Sequence, residues 1–223
     1  PDLRQEIIDA ESTDGDDVIL GSHFNDVFDA GLGNDRMEGD AGSDTYLFAA
    51  GDGQDVVHDY RGNILASNDD RIVFEDLNPA DLVLSRHGVN GHDLRFTDVT
   101  SGASLTIEGQ FDYTTINIRF NEIESFEFAD GTIWSAGDLR DAYLAQAGTA
   151  GADSISGFWS DDRIEGGAGD DILMGADGSD TYVVNVGDGV DIIRELVGYV
   201  TYDDDDVIEF GAGLLASDIL YTR

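Results

Sequence analysis

GGAGDDILM, residues 166–174, decides the reading of this chain. Glycine stands at positions one, two and four of this nonad, Asp171 at position six and Leu173 at position eight. AGLGNDRME (30–38), GDAGSDTYL (39–47) and GADGSDTYV (175–183) keep the glycine at four, the aspartate at six and a large apolar residue at eight. Counting outward in nines gives Asp17, Asp26, Asp35 and Asp44, and the same series 136 positions on: Asp153, Asp162, Asp171 and Asp180. A fixed beat held through two arrays marks a repeat architecture rather than a bias of composition.

Positions one to six are rich in glycine and polar residues, which suits a tight turn that visits positive φ and gathers its carbonyls around one point. Positions seven to nine are long enough for a very short strand. Each strand then sends one side chain inward: Ile19, Phe28, Met37 and Tyr46 in the first array, Ile155, Ile164, Leu173 and Tyr182 in the second. Nine residues are too few for an antiparallel pair with its turns, so the chain must wind as a flattened coil with two strands per lap. Turns eighteen residues apart stack. Stacking sets Asp17 beside Asp35, Asp26 beside Asp44, Asp153 beside Asp171 and Asp162 beside Asp180, and paired carboxylates repel unless a cation lies between them. A hard ion surrounded by carboxylate and carbonyl oxygens is calcium's preference, whereas magnesium keeps its waters.

These nonads resemble the repeats of the RTX family of calcium-binding proteins secreted by Gram-negative bacteria. The resemblance implies an all-β fold: two parallel β-rolls joined by an antiparallel β meander with one short helix. It also implies ligands, with carbonyls of positions two and four and the aspartate of one turn meeting carbonyls one and three and the aspartate of the turn eighteen residues on. One site would use Thr13, Gly15 and Asp17 with Ala30, Leu32 and Asp35; its duplicate would use Thr149, Gly151 and Asp153 with Gly166, Ala168 and Asp171. On the opposite edge Ser22, Phe24 and Asp26 would meet Gly39, Ala41 and Asp44, and Phe158, Ser160 and Asp162 would meet Gly175, Asp177 and Asp180. Phe24 and Ser160 replace the usual glycine at position four, so strained turns and weaker sites are expected there. Each array closes on a similar phrase, GDGQDVV (51–57) and GDGVDII (187–193), two residues off the beat. A third site per array is expected, pairing Gly31, Gly33 and Asp35 with Asp52 and Asp55, and Gly167, Gly169 and Asp171 with Asp188 and Asp191. The total is about six calcium ions.

Residues 69–134 follow another grammar. DRIVFEDL, DLVLSR, HDLRFTDV, ASLTIEGQF, INIRFNEIESFEF and GTIWS alternate apolar and polar residues between Asn, Gly and Asp turns, which predicts ordinary strands. IESFEFADGTIW (123–134) resembles the segment that commonly follows RTX repeats in haemolysin-type calcium-binding proteins. Residues 135–146 predict a helix with Ser135 as N-cap and Asp138 in the capping box. DDVIEFGAGLLASDILY (205–221) restarts the phrase of 70–84, so a fragment of a longer repetitive protein is expected. The organisation is then a lead-in (1–11), a first roll (12–60), a β segment with helix (61–147), a second roll (148–196) and the start of a second β segment (197–223).

A formal charge of −37 opposes compaction and makes nucleic acid and anionic membrane poor partners. Six divalent ions would bring it to about −25. With no cysteine there is neither a disulfide scaffold nor a thiolate metal site. His23, His58, His87 and His92 lack HExxH spacing, and no nucleophile elbow or phosphate loop occurs, so no catalytic role is expected of the chain itself. No apolar run is long enough to span a membrane.

The function these features imply is a structural and secretion-folding module, exported through a type I channel as RTX proteins are, that folds on extracellular calcium. A calcium-stabilised carbohydrate-binding or adhesion module, with Phe24, Phe158, Trp159 and Tyr113 stacking on a glycan or cell-surface ligand, is the alternative.

Overall fold

The computed structural model describes residues 3–60, 69–88, 91–112, 121–195, 205–215 and 217. Contacts divide the chain into two compact units, Pro1–Asp138 and Leu139–Arg223.

The first unit opens with a helix that the lead-in did not announce, α1 (Leu3–Glu11), whose Ile8 is buried. The nonad strands follow: β1 (Val18–Leu20), β2 (Val27–Asp29), β3 (Arg36–Glu38) and β4 (Thr45–Phe48), then β5 (Gln54–His58) and β6 (Arg71–Phe74). Odd and even strands go to opposite sheets and pair in parallel. Ile19 lies beside Met37 and Phe28 beside Tyr46, so the eighteen-residue lap is observed directly. Met37 then lies beside Val57, a step of twenty, where the two-residue insertion was read. Every inward residue named from the first array is fully buried, and the Phe28 and Tyr46 rings stack at 4.9 Å. Gln5 of α1 closes the free edge: its amide nitrogen donates to the Val27 carbonyl at 2.6 Å and its amide oxygen accepts the Val27 N–H at 3.1 Å. An unpaired strand edge invites another chain, and Gln5 occupies the place such a chain would take.

The segment beyond the roll is not a separate antiparallel layer. Strands β7 (Leu82–His87), β8 (Asp93–Asp98) and β9 (Ser104–Ile107) do form an antiparallel meander, and β10 (Ser125–Glu127) pairs antiparallel with β11 (Ile133–Ser135). Yet β9 joins β5 in parallel, and β10 joins β6 in parallel. The result is two sheets, ordered β1-β3-β5-β9-β8-β7 and β11-β10-β6-β4-β2, each running without a break from roll to meander. The last lap of a roll leaves backbone donors and acceptors open, and these strands satisfy them. INIRF, residues 116–120 of the phrase INIRFNEIESFEF, lies outside the described residues.

The core broadens in the meander, where Phe48, Phe74, Phe96, Phe126 and Phe128 pack ring on ring. Phe96 is fully buried between Phe74 and Phe126. Phe96→Ala should therefore cost the first unit about 3–5 kcal/mol, read as an earlier urea midpoint at saturating calcium.

Helix α2 (Ala136–Ala147) begins where Ser135 predicted. Asp138 N–H donates to Ser135 Oγ at 3.2 Å, while the Ser135 N–H donates to Asp138 Oδ2 at 2.8 Å, completing the capping box. The second unit repeats the roll with β12 (Ser154–Ser156), β14 (Ile172–Met174) and β16 (Ile192–Arg194) in one sheet, and β13 (Arg163–Glu165), β15 (Thr181–Val184) and β17 (Val207–Phe210) in the other. Ile155, Ile164, Leu173 and Tyr182 are buried in register. The fold is all-β, built on two parallel rolls.

Candidate metal centres

The aspartates of successive laps are joined through their own backbones. Asp17 N–H donates to Asp35 Oδ1 at 2.8 Å, and Asp35 N–H donates to Asp55 Oδ1 at 2.9 Å. On the other edge Asp26 N–H donates to Asp44 Oδ1 at 2.8 Å and Asp44 N–H to Asp70 Oδ1 at 2.8 Å. The second unit repeats both ladders: Asp153 to Asp171 to Asp191 at 2.8 and 3.2 Å, and Asp162 to Asp180 to Asp206 at 2.9 and 3.0 Å. Aspartate suits position six because its short side chain reaches back to the neighbouring lap while its own N–H is passed forward.

The remaining carboxylate oxygens divide into two kinds. In the first lap of each array they fold onto their own turn: Asp17 Oδ2 accepts the Thr13 N–H and hydroxyl, both at 2.7 Å, and Asp26 Oδ2 accepts those of Ser22 at 2.7 and 2.8 Å. Asp153 is bonded in the same way to Thr149, and Asp162 to the Phe158 N–H at 2.5 Å. In the second lap, position two turns left-handed at Gly31, Asp40, Gly167 and Ala176 (φ +78°, +70°, +82° and +82°). There the Oδ2 atoms of Asp35, Asp44, Asp171 and Asp180 are buried with no hydrogen-bond partner. Each pair formed by the first and second laps thus joins one self-capped carboxylate to one orphan.

Carbonyls crowd the same gaps. A Cβ on Gly33 would lie 2.8 Å from the Gly15 oxygen, on Gly42 2.6 Å from the Phe24 oxygen, on Gly169 2.6 Å from the Gly151 oxygen and on Gly178 2.6 Å from the Ser160 oxygen. Phe24 and Ser160 therefore place their carbonyls as Gly15 and Gly151 do, and neither has a positive φ. The expectation of strain at these two positions was wrong, because the left-handed turn belongs to positions two and four of the following lap. Leu32, Ala168 and Asp177 are exposed and Ala41 half-buried at turn tips; Ala30, Gly39, Gly166 and Gly175 are buried beneath them. The third turn also differs from expectation. Asp55 and Asp191 join the ladders, but the Asp52 and Asp188 carboxylates bend back to accept the Ala49 and Asn185 N–H groups at 2.6 and 2.5 Å.

Sequence reasoning missed a parallel outer ladder at position five. Asp16 Oδ1 accepts the Asn34 N–H at 2.9 Å, Asn34 Oδ1 accepts the Gln54 N–H at 3.0 Å, and Asn25 bonds Ser43 at 3.0 Å in the same way. Asp161 with Ser179 repeats it. The signal was legible, since Asp16, Asn25, Asn34, Ser43, Asp161, Asp170 and Ser179 are all short and oxygen-bearing on the same beat.

Burial dominates the electrostatics. Desolvation pushes Asp44, Asp55 and Asp180 up to about 7, and Asp35 and Asp52 also rise; the backbone N–H bond each accepts pulls the other way, and neighbouring carboxylates add a smaller upward push. Burial raises Asp162 to about 6 even though the Phe158 N–H bond and Arg140 pull it down. Orphaned buried carboxylate oxygens, stacked like charges and adjacent carbonyls form an all-oxygen donor set that fits calcium.

Other groups are drawn elsewhere. His23, His58 and His92 each face one carboxylate, Asp40, Glu108 and Asp112, and His87 bonds Ser85. Among the described residues no histidine joins a metal-competent cluster. Phe158 is buried against Tyr143, with Trp159 edge-on to it and Arg140 over both rings, so it offers no stacking face, contrary to the glycan expectation. The exposed Phe24 ring carries the Arg4 guanidinium at 4.0 Å, and Tyr113 lies outside the described residues. No helix among the described residues is long and apolar enough to cross a membrane.

Residues 11–46, 147–173 and 156–193 match the RTX calcium-binding nonapeptide repeat (4 copies), and residues 93–138 match the haemolysin-type calcium binding protein related domain. The chain belongs to the RTX haemolysin-type calcium-binding family. The second match takes in β8 to the start of α2, the strands that extend both roll sheets. Among solved structures the chain is similar to the extracellular lipase LipA from Serratia marcescens, at 16% identity and a TM-score of 0.18. That likeness covers 95% of this chain but 34% of the lipase chain, and at this TM-score it carries no argument. No curated protein matches.

Proposed function

We propose that this RTX module is a calcium-driven folding and structural unit of a secreted protein, held unfolded inside the cell and closed by calcium outside it. The observation that carries the reading is the set of buried, unpartnered Oδ2 atoms on Asp35, Asp44, Asp171 and Asp180, each stacked one lap from another aspartate. Six ions would lie between Asp17 and Asp35, Asp26 and Asp44, Asp35 and Asp55, and the three equivalent pairs of the second unit. Calcium would neutralise the stacked charge and tie adjacent laps together. Turn carbonyls complete each shell, Thr13, Gly15, Ala30 and Leu32 being the example at the first pair. Export by a type I route and an extracellular or cell-surface location belong to the same proposal, being typical of RTX repeat proteins. No catalytic role is assigned to the module in this reading. Equilibrium dialysis of the full chain at millimolar calcium and pH 7.5 tests the reading. At least six bound ions per chain are expected; a chain that binds none overturns it.

A further inference from the structure

The two edges of each roll hold their first-lap turns by different means. On the first edge the turn holds itself: the Gly15 N–H donates to Thr13 Oγ1 at 3.2 Å and the Gly151 N–H to Thr149 Oγ1 at 3.1 Å, so a side chain within the turn fixes position four. On the second edge, residues 21–26 and 157–162, position four is Phe24 or Ser160. Among the described residues Ser22 accepts no such bond from Phe24, and Phe158, which stands where threonine does, has no hydroxyl to offer. Yet the Phe24 and Ser160 carbonyls are set as closely as the others, each 2.6 Å from a Cβ placed on Gly42 or Gly178. The grip must come from outside the turn.

It comes from the helix in front of each roll. Residues 139–147 of α2 stand 136 positions after residues 3–11 of α1, with Leu144 buried at the place of Ile8. In α1 two consecutive residues take hold on either side of Asp26: Arg4 lays its guanidinium 4.0 Å from the centre of the Phe24 ring, and Gln5 bonds both the N–H and the carbonyl of Val27. In the second unit the aromatic has moved along the turn to positions two and three, and the arginine still meets it. Arg140 lies 6.0 Å from the Phe158 ring centre and 5.2 Å from that of Trp159. Asp141 replaces Gln5, and a carboxylate cannot donate to a carbonyl, so only the arginine half of the grip is kept. Arg140 and Asp141 both act on the ionisation of Asp162, in opposite directions, which puts this end of the helix beside the ladder. An arginine retained over an aromatic that has itself shifted marks the contact, rather than the sequence, as the feature preserved between the two units.

We propose that Arg4 and Arg140 are positioning residues for the ion of the second edge, each holding the aromatic of its turn so that the Phe24 or Ser160 carbonyl and the Asp26 or Asp162 carboxylate stay set for that ion. This role presupposes ions in the stacked pairs, as proposed above, and makes the helix a determinant of calcium affinity outside the nonads. Charge and grip act with opposite signs. A guanidinium near a bound cation repels it, so its charge hastens calcium release, while its hold on the turn delays release.

Calcium release from the full chain into a fluorescent chelator, followed by stopped flow, tests this on wild type, Arg4→Ala, Phe24→Leu, the two combined, and Arg140→Ala. In each single variant one ion per chain should leave about 2- to 30-fold faster, the range set by a cation–π contact, with the other ions unchanged and the far-ultraviolet circular dichroism at saturating calcium retained. Arg4→Ala and Phe24→Leu combined should be no faster than either alone, because both remove one contact. Release that is unchanged or slower in the arginine variants, hastened for all ions together, or additive between Arg4 and Phe24 overturns the proposal while bound calcium leaves the folding reading standing; a wild-type chain that holds no calcium removes both. Should an alanine variant fail to fold, Arg4→Lys and Arg4→Gln decide in the same assay. Release near the wild-type rate with lysine and faster with glutamine supports the contact, and equal rates in the two overturn it.

Discussion

In chelator at pH 7.5 the chain is expected to lose most of its sheet signal, and millimolar calcium is expected to restore it in a cooperative transition. The roll has little else to stand on. Each three-residue nonad strand buries one side chain, as Ile19, Phe28 and Met37 do, while neighbours such as Val18, Leu20 and Val27 stay exposed. Against that small core stand a formal charge of −37 and two carboxylate ladders per unit most of whose members are buried beside one another. Extracellular modules bind calcium at about 10⁻⁴–10⁻³ M. At about ten times the dissociation constant each site adds about 1.4 kcal/mol, so six add about 8 kcal/mol, comparable to the whole stability of a typical domain. At about a hundredth of that constant the contribution vanishes. Circular dichroism over buffered calcium, with magnesium as the control ion, reads the outcome. Equal sheet content with and without chelator would defeat the folding-switch reading.

How far the sequence carried depends on which interactions repeat. The lap length, the inward residues and the twenty-residue step from Met37 to Val57 were legible because the nine-residue beat is a property of local turn chemistry. So was the capping box of Ser135 and Asp138, whose partners lie three residues apart. Asp70 was missed because it lies 26 residues after Asp44, and the beat instead points to Gly62. Asp59 accepts the Tyr46 hydroxyl, a tertiary contact off the nine-residue beat. Helix α1 is a polar segment whose place is fixed by one buried residue, Ile8, and by Gln5 bonded to the edge of β2, and neither leaves a periodic trace. The parallel joins of β9 to β5 and β10 to β6 answer to the open backbone of the last lap, which alternation of apolar residues within a strand does not encode. Phe24 and Ser160 were misjudged because position four was taken to need glycine in every lap, whereas left-handed backbone appears there at Gly33, Gly42, Gly169 and Gly178, in the lap stacked on top, and not in the first lap.

Acid should act in opposite directions on the metal-free and the calcium-loaded chain. The folded-state pKa values of Asp44, Asp55 and Asp180 stand near 7, and that of Asp162 near 6, against 3.8 for an ordinary aspartate, with burial the leading cause in each. A carboxyl raised on folding binds its proton more tightly in the folded chain. Its contribution is fully present below the unfolded value and is lost as pH rises through the folded one. Without calcium, sheet content should therefore rise as pH falls from 8 to 5, a window kept above the sequence pI of about 4.1, where charge no longer keeps the chain soluble. With calcium the sign reverses, because ligands must be ionised and protons compete for the same oxygens, so the calcium needed for half-folding should increase over the same range. Asp44→Asn combined with Asp180→Asn separates the two effects. Asparagine keeps an oxygen for the Asp26 and Asp162 N–H groups but cannot ionise, so the double variant should hold more structure than wild type in chelator at pH 8 and demand more calcium to complete its fold. Sheet content in chelator that stays flat between pH 8 and 5, or a variant less structured than wild type there, would show that buried carboxylate charge is not what keeps the metal-free roll open.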